Sequence, residues 1–217
     1  LMYTSCGWFF DDISRPEPVQ VIQYAARVMQ LVHETMSDDV EGYFLETLAQ
    51  AKSNIPEQGD GRSIYDNHVR PAMVDLIKVT AHYAVSSLFE DYTQENKIYC
   101  YYVNNEYYQT TECGKSKFAV GRARVTSEIT GETALCSFGV FHFGGHVINA
   151  GVREYQGEEA YQSMVQELAQ SCSIAEFPEV IRLLDKHFGD SSYSLRSLFR
   201  DEQRKVLGYI LESTMSE

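Results

Sequence analysis

Residues 134–155 have the sequence ALCSFGVFHFGGHVINAGVREY. Within this segment, two runs rich in β-branched and aromatic residues flank Gly144-Gly145. A glycine pair between two such runs is a strong hairpin signal, because glycine adopts the positive φ angles that tight turns require. We therefore predict two antiparallel strands, at residues 134–143 and 146–155.

The residues before this hairpin continue the strand pattern towards the N-terminus. Residues 98–108 place IYCYYV ahead of two asparagines and a second tyrosine pair, which predicts another hairpin. Residues 118–129 alternate as a strand does and end at the turn residues Thr130-Gly131. Consecutive strands with short turns indicate an antiparallel sheet, and the lack of strand–helix–strand alternation argues against a Rossmann or TIM-barrel core.

Helical patterns lie on both sides of this strand region. Apolar residues recur at steps of three and four near residues 17–36, 38–51, 63–89, 159–171, 176–188 and 194–213. A capping box formed by Ser14 and Glu17 marks the start of the first helix. In the third, Pro71 predicts a kink or a later helix start, because proline lacks the backbone N–H.

These patterns predict the α+β class, with a helical bundle N- and C-terminal to a small antiparallel β-sheet of about four to six strands. The predicted organisation is a helical segment at 1–97, an antiparallel β segment at 98–155, and a helical segment at 156–217 that packs with the first. Leu1 is not a natural start residue, so we expect this composite domain to be excised from a longer protein.

The chain is strongly acidic. Its 217 residues include 31 acidic and 18 basic side chains, which give a net charge of −13. Nucleic-acid binding depends on Lys and Arg side chains that neutralise phosphates, and an anionic membrane surface repels a chain of this charge. No apolar run approaches the roughly 18–20 residues that span a bilayer. We therefore expect neither a nucleic acid nor a membrane as a partner.

Two features predict a cytoplasmic location. The first ten residues lack the basic leader of a signal peptide, and Asp11 and Asp12 follow at once. The five cysteines are Cys6, Cys100, Cys113, Cys136 and Cys172. Their odd number and wide spacing fit neither a disulfide framework nor a zinc knuckle, so we expect free thiols in a reducing compartment.

Residues 3–12, YTSCGWFFDD, have the most unusual composition in the chain. They contain the single tryptophan, Trp8, and the adjacent carboxylates Asp11 and Asp12. Aromatic rings stack on the C–H faces of sugars and carboxylates accept hydrogen bonds from hydroxyls, so this segment is a candidate sugar-binding site. A hydrophobic staple with acidic residues near a helix N-terminus explains the same composition. Neighbours in an extended chain face opposite ways, which argues against Asp11 and Asp12 as the acid and nucleophile of a glycosidase.

Histidines, charged residues and tyrosines elsewhere offer further candidates. His142 and His146 would need a third metal ligand, and no acidic or cysteine side chain stands at ligand spacing. The GxSxG, HExxH, P-loop and GxGxxG motifs are missing, so we expect no metal, no cofactor and no catalytic residue in this chain. The charged run at 200–205 fits a solvated helix face or a domain contact. Glycan binding and ordinary strand propensity both explain the tyrosines of the first hairpin, Tyr99, Tyr101, Tyr102, Tyr107 and Tyr108.

Two segments resemble a known family. Residues 4–13, TSCGWFFDDI, continue through PVQ at 18–20 and YAAR at 24–27, and residues 193–207 have the sequence YSLRSLFRDEQRKVL. Both resemble an uncharacterised domain that lies C-terminal to the catalytic domain in bacterial family 57 glycoside hydrolases of the α-amylase and α-mannosidase type. The resemblance spans most of the chain, and the two end segments carry it.

This resemblance implies an accessory role in carbohydrate metabolism. Family 57 enzymes use a retaining mechanism on an incomplete (β/α) barrel, and their nucleophile and acid lie in that barrel, which this chain lacks. A helical region after the barrel helps to close the sugar cleft, and in related amylases it contains a Trp-rich segment ending in Gly-Asp-Asp. Trp8, Asp11 and Asp12 resemble that segment loosely, although Phe9-Phe10 departs from the pattern. The resemblance therefore implies an accessory C-terminal domain of an α-glucan- or α-mannan-processing glycoside hydrolase. Its partners would be the upstream catalytic barrel of the same polypeptide and an α-glucan. The alternative is a purely structural or interaction module with no ligand.

Overall fold

The computed structural model describes residues 2–36, 40–113, 116–173, 176–189 and 191–215. The α+β class is confirmed, because helices precede and follow a six-stranded antiparallel sheet. Contacts divide the chain into two compact units, Leu1–Val74 and Asp75–Glu217, which we call unit 1 and unit 2. Helix 76–86 belongs to unit 2, where it packs against the sheet. The organisation into segments 1–97, 98–155 and 156–217 stays a prediction.

Unit 1 is helical. It contains helices α1 (Pro16–Met36), α2 (Glu41–Leu48) and α3 (Gly61–Ile64), and α3 runs on into a π-helical turn at Tyr65–Val69. Asp60 caps α3, since its carboxylate accepts the Ser63 N–H at 3.0 Å. The core of this unit is formed by Ala26, Leu45, Tyr65 and Val69.

The helix predicted at residues 63–89 is interrupted. After the π turn, a 3₁₀ turn covers Arg70–Ala72 and Met73 is extended, so helix α4 begins only at Leu76 and ends at Ser86. Pro71 lies within the 3₁₀ turn and has no N–H to continue the ladder. Asp75 then starts α4 by accepting the Lys78 N–H at 2.6 Å. The later helix start that Pro71 predicts is thus confirmed.

Unit 2 is built on the sheet, with strand order β1-β2-β3-β4-β5-β6. The strands are β1 (Glu95–Ile98), β2 (Tyr101–Cys113), β3 (Ser116–Ser127), β4 (Thr133–Gly144), β5 (Val147–Glu154) and β6 (Ser192–Tyr193). The hairpin predicted around Gly144-Gly145 is confirmed as β4 and β5, and both glycines have positive φ. No pattern in the sequence predicted β6, which has only two residues.

Helices cover both faces of this sheet. α4 packs against β4 and β5 on one face, where Tyr83 meets Phe138 edge to face. On the other face, α5 (Glu158–Ser173) and α6 (Phe177–Phe188) bury Phe118 and Phe141. The central strands are therefore apolar on both faces.

The last helix starts later than the sequence predicts. Residues Leu195–Ser197 form a 3₁₀ turn with a capping box between Ser194 and Ser197, and Leu198 is extended. Helix α7 then spans Arg200–Met215. Within the residues described above, no helix is both long enough and apolar enough to span a bilayer.

The expectation that all cysteines are free thiols is wrong for Cys172. Cys6, Cys100 and Cys136 are free, whereas Cys172, which is buried on α5, is in a disulfide. A disulfide requires two Cβ atoms to come close in the fold, and spacing along the chain does not reveal that proximity.

Candidate functional site

The residues before α1 expose an unusual set of aromatic rings, which we call the aromatic segment (residues 3–10). A 3₁₀ turn at Ser5–Gly7 folds the segment back, and the Gly7 and Trp8 N–H groups donate to the Thr4 and Ser5 carbonyls. Trp8 is 77% exposed and Phe9 72% exposed, and Tyr3 is also exposed. Large exposed aromatic side chains in one segment mark a candidate binding surface.

Asp12 fixes the end of this segment. Its side chain is only 5% exposed, and its carboxylate accepts the Ser14 N–H at 2.8 Å and the Asn54 N–H at 2.5 Å. The Ser53 hydroxyl lies 3.0 Å from both carboxylate oxygens. The hydrogen bonds from Ser14, together with those from Asn54 and Ser53, lower the pKa of Asp12 to about 2, against the opposing effect of burial. Asp12 therefore ties the aromatic segment to the loop after α2.

Asp11 faces the other way, as expected for neighbours in an extended chain. Its carboxylate is exposed and forms an ion pair with Arg15 at 3.4 Å. Its backbone carbonyl accepts a hydrogen bond from the Asn54 side chain at 2.5 Å, which adds to the link made by Asp12. The structure thus leaves Trp8 and Asp11 accessible to a ligand and uses both oxygens of Asp12 within the protein.

Ser53 and Asn54 belong to the site, although the sequence analysis did not single them out. They lie about forty positions from Asp12, so only the folded chain brings them together. The short-range signals that predicted α1, such as the capping box at Ser14, carry no information about such a distant pair.

The hairpin predicted around the two asparagines is wrong, because both lie within β2 and the turn between β1 and β2 falls at residues 99–100. The tyrosines of this region do not form one surface. Tyr99, which has a positive φ of 53°, packs edge to face on Phe199, and Tyr102 binds Lys97 and Glu128. Tyr107 meets Tyr161 of α5 edge to face, whereas Tyr108 donates to the Ser87 carbonyl at the end of α4. Adjacent strand residues point to opposite faces, so these rings separate.

The other sequence candidates have local partners. His142 lies 2.8 Å from the Gly145 carbonyl within its own hairpin, and His146 is exposed. Among the described residues, no three His, Cys, Asp or Glu side chains are grouped as metal ligands. In the charged run at 200–205, Lys205 forms an ion pair with Glu90.

Comparison with known protein families finds a match for most of the chain. The model of a family described as a domain of unknown function (DUF3536) matches residues 1–199. The chain belongs to the DUF3536 family. The DUF3536 match includes the aromatic segment and all six strands and ends just before α7. No curated protein and no solved structure matches the chain.

Proposed function

We propose that the chain is an accessory domain of a glycoside hydrolase that processes α-glucan or α-mannan. In this proposal an upstream barrel of the same polypeptide carries the catalytic nucleophile and acid, and the DUF3536 region supports that barrel and contacts sugar. The observation that carries the proposal is the exposure of Trp8 and Phe9 on a segment that Asp12 holds in place. The resemblance of residues 4–13 and 193–207 to family 57 proteins supports the choice of substrate.

The proposed roles follow from exposure and bonding. Trp8 offers an open indole face for stacking on a sugar ring, and Asp11 offers an exposed carboxylate that accepts hydrogen bonds from hydroxyls. Asp12 acts as a positioning residue, because its oxygens already accept bonds from Ser14, Ser53 and Asn54. A segment that is ordered before binding loses less entropy when the sugar arrives, which favours affinity.

A purely structural or interaction module without a ligand is the second candidate. The same exposure favours it, since exposed aromatic rings also anchor protein–protein interfaces. The two functions differ in what covers Trp8, a sugar or another protein surface.

Trp fluorescence of the chain, titrated with malto-oligosaccharides and manno-oligosaccharides, tests the proposal directly because Trp8 is the single tryptophan. We expect a saturable change with a dissociation constant of about 1 mM or below. Calorimetry should show that Trp8→Ala loses this binding and that Asp11→Asn weakens it.

Tyr43 supplies the matched control, because it is 79% exposed on α2 of the same unit. Tyr43→Ala should bind sugar as the unsubstituted chain does. If neither class of oligosaccharide changes the fluorescence or releases heat up to about 10 mM, sugar contact by the aromatic segment is excluded and the interaction module is favoured.

A further inference from the structure

The outer edge of β2 is open over about half of its length. β1 pairs with β2 only as far as Asn104, whose partner is Glu95. Next to this pair, the Asn105 N–H donates to the Gln94 carbonyl at 2.8 Å. Among the residues that the structure describes, residues 106–112 form no backbone–backbone hydrogen bonds except those that pair β2 with β3. We call residues 106–112 the open edge.

A β-bulge determines which backbone groups the open edge presents. In an antiparallel pair, successive residues direct their N–H and C=O groups alternately towards and away from the neighbouring strand. Asn105 faces β1, and the bulge between Asn105 and Tyr107 inserts one residue into β2, which shifts this alternation. After the bulge, the backbone groups of Tyr108, Thr110 and Glu112 therefore point away from β3. Such groups are a template for a further strand.

The open edge lacks most of the devices that protect sheet edges. Proteins commonly block an edge with Lys or Pro residues or cover it with another element. The sequence of residues 106–112 is EYYQTTE, which contains neither Lys nor Pro, and its two charged residues are acidic. Thr110 and Glu112 are exposed and Tyr108 is half-buried. The open edge is thus accessible within the part of the chain that the structure describes.

A cleft lies beside the open edge, on the face of the sheet that α4 covers. Tyr108 donates its hydroxyl to the Ser87 carbonyl at the end of α4, so alternation directs Thr110 and Glu112 to the same face. All three residues line the cleft, which we call the β2 cleft. Its volume is about 290 Å³, roughly the share of ten water molecules, so one long side chain fits. Paired residues share a face, so a strand added opposite Thr110 directs a side chain towards this cleft.

Carboxylates outnumber cations in the lining of the β2 cleft. The charged lining residues are Glu90, Asp91, Glu112 and Lys117. Lys205 of α7 pairs with Glu90, and Lys117 stands directly opposite Glu112 in the sheet. Asp91 is exposed and forms no ion pair with any residue that the structure describes. The excess negative charge favours a cationic side chain in the cleft.

The tyrosines of the β2 cleft suit the rest of such a side chain. Tyr92 is half-buried, its hydroxyl donates to Ser86 at 2.8 Å, and its ring stacks on Tyr83 with centroids 5.1 Å apart. These contacts hold the ring in place as a wall. Lys and Arg pack their apolar stems on aromatic surface of this kind while the charged group stays near carboxylates.

We propose that the open edge binds an extended basic segment of a partner protein, which joins the sheet as a further strand and places a Lys or Arg side chain in the β2 cleft. Backbone hydrogen bonds to residues 108–112 supply affinity, and the cleft supplies the preference for a basic sequence. A second copy of this chain fits less well, because it would bring Glu106, Glu112 and a net charge of −13 to the same edge. The open edge acts independently of the aromatic segment.

Fluorescence anisotropy of a labelled peptide tests the open edge in the 217-residue chain. The probe is the heptapeptide SKVKVKS, which carries fluorescein at its N-terminus and an amide at its C-terminus, and its lysines alternate as one face of a strand does. At low ionic strength we expect saturable binding with a dissociation constant of about 100 μM or below. The peptide SEVEVES, in which glutamate replaces each lysine, should not bind.

Thr110→Pro and Thr110→Val separate the backbone of the open edge from its side chains. Proline removes an N–H group that points away from β3, so the sheet keeps its own hydrogen bonds while the open edge loses a donor. Thr110→Pro should weaken SKVKVKS binding about tenfold or more, whereas Thr110→Val keeps the N–H and should bind within about twofold of the unsubstituted chain. Thermal unfolding checks that both variants remain folded.

Asp91→Asn tests the charge of the β2 cleft without changing the strand. It should weaken SKVKVKS binding about threefold or more at low ionic strength. Asp185→Asn is the matched control, because it removes an exposed carboxylate from α6, on the other face of the sheet. This variant should bind the peptide as the unsubstituted chain does.

Four results would overturn the proposal: no SKVKVKS binding up to about 1 mM, equal binding of SKVKVKS and SEVEVES, equal binding by folded Thr110→Pro and Thr110→Val, or equal binding by Asp91→Asn and Asp185→Asn. Light scattering supplies a further check. A dimer of the unsubstituted chain that Thr110→Pro dissociates would show that the open edge pairs with a second copy instead.

Discussion

Asp11 and Asp12 are adjacent aspartates that the fold places in different environments. The carboxylate of Asp12 accepts hydrogen bonds from Ser14, before α1, and from Ser53, after α2. The carboxylate of Asp11 remains exposed beside Arg15. A buried carboxylate that accepts several N–H and O–H donors stays ionised to low pH, so the link it makes is charge-assisted. The position of Trp8 therefore depends on a residue that we expect makes no ligand contact.

Replacing Asp12 by Asn should loosen the aromatic segment. The amide keeps one acceptor oxygen and loses the charge, so the hydrogen bonds from Ser14, Ser53 and Asn54 weaken. The fluorescence anisotropy of Trp8 should fall as a result. Because the folded pKa of Asp12 is about 2, below its ordinary 3.8, the link in the unsubstituted chain is present above pH 3.8 and is lost as pH falls through 2.

Asp11→Asn is the control for this prediction, because it removes a neighbouring charge that is exposed. Its anisotropy at neutral pH should equal that of the unsubstituted chain. Equal anisotropy in Asp12→Asn as well would show that Asp12 does not order Trp8.

At the scale of elements, a glycine pair creates the space in which α6 meets the sheet. Gly139 of β4 lies opposite Gly151 of β5, and the Phe188 ring of α6 covers both. A Cβ atom at Gly151 would lie 2.2 Å from Phe188 Cδ2, and one at Gly139 would lie 3.3 Å from Phe188 Cε2. The two glycines therefore fix how closely α6 approaches the strands.

Gly151→Ala should destabilise unit 2 by about 1–3 kcal/mol, since the added methyl group forces Phe188 out of its place. Urea unfolding monitored by circular dichroism measures this change. Gly208→Ala on α7 is the matched control, because among the described residues no atom beyond its chain neighbours and the local helix backbone lies within 4 Å of its added Cβ, and it should be neutral or stabilise by up to about 1 kcal/mol. A Gly151→Ala variant as stable as the unsubstituted chain would contradict this account of the packing.

Local sequence patterns predicted those helices and strands that interactions between neighbouring residues determine. The glycine turn and the alternating runs predicted β3, β4 and β5, and helical spacing predicted α1, α5 and α6. The sequence did not predict β6 or the disulfide of Cys172, because both depend on distant partners. The same limit applies to the candidate site: composition pointed to Trp8, Asp11 and Asp12, but the separate environments of the two carboxylates arise from Ser53 and Asn54.

At the scale of the whole molecule, pH changes the stability of this acidic chain through two opposing effects. The net charge of −13 favours solubility, and acidification reduces the repulsion that this charge causes. His82 acts in the opposite direction. It is only 3% exposed, and burial, opposed by nearby Glu90 and reinforced by Lys205, lowers its pKa from 6.5 to about 4.

His82 should make unit 2 less stable as pH falls from 6.5 to 4. In this window the unfolded histidine takes up a proton and the folded one does not, so protons favour unfolding. The loss should reach about 3 kcal/mol at pH 4. Urea unfolding at several pH values should show this slope for the unsubstituted chain and a shallower slope for His82→Gln.

His146→Gln is the control, because it removes an exposed histidine from the same unit. Comparing the two variants removes the general effect of net charge, since each lacks one histidine. If the stability of His82→Gln falls with pH as steeply as that of the unsubstituted chain, a group other than His82 takes up the proton on unfolding.

The strand order has a consequence for the nascent protein. β1 to β5 pair in the order in which they are synthesised, so this part of the sheet can form while translation continues, whereas α6 emerges on the order of seconds later. During that interval the surface around Gly139 and Gly151 has no Phe188 to cover it. Slowing translation between β5 and α6 would lengthen this exposure and increase the chance that two growing chains on one messenger aggregate.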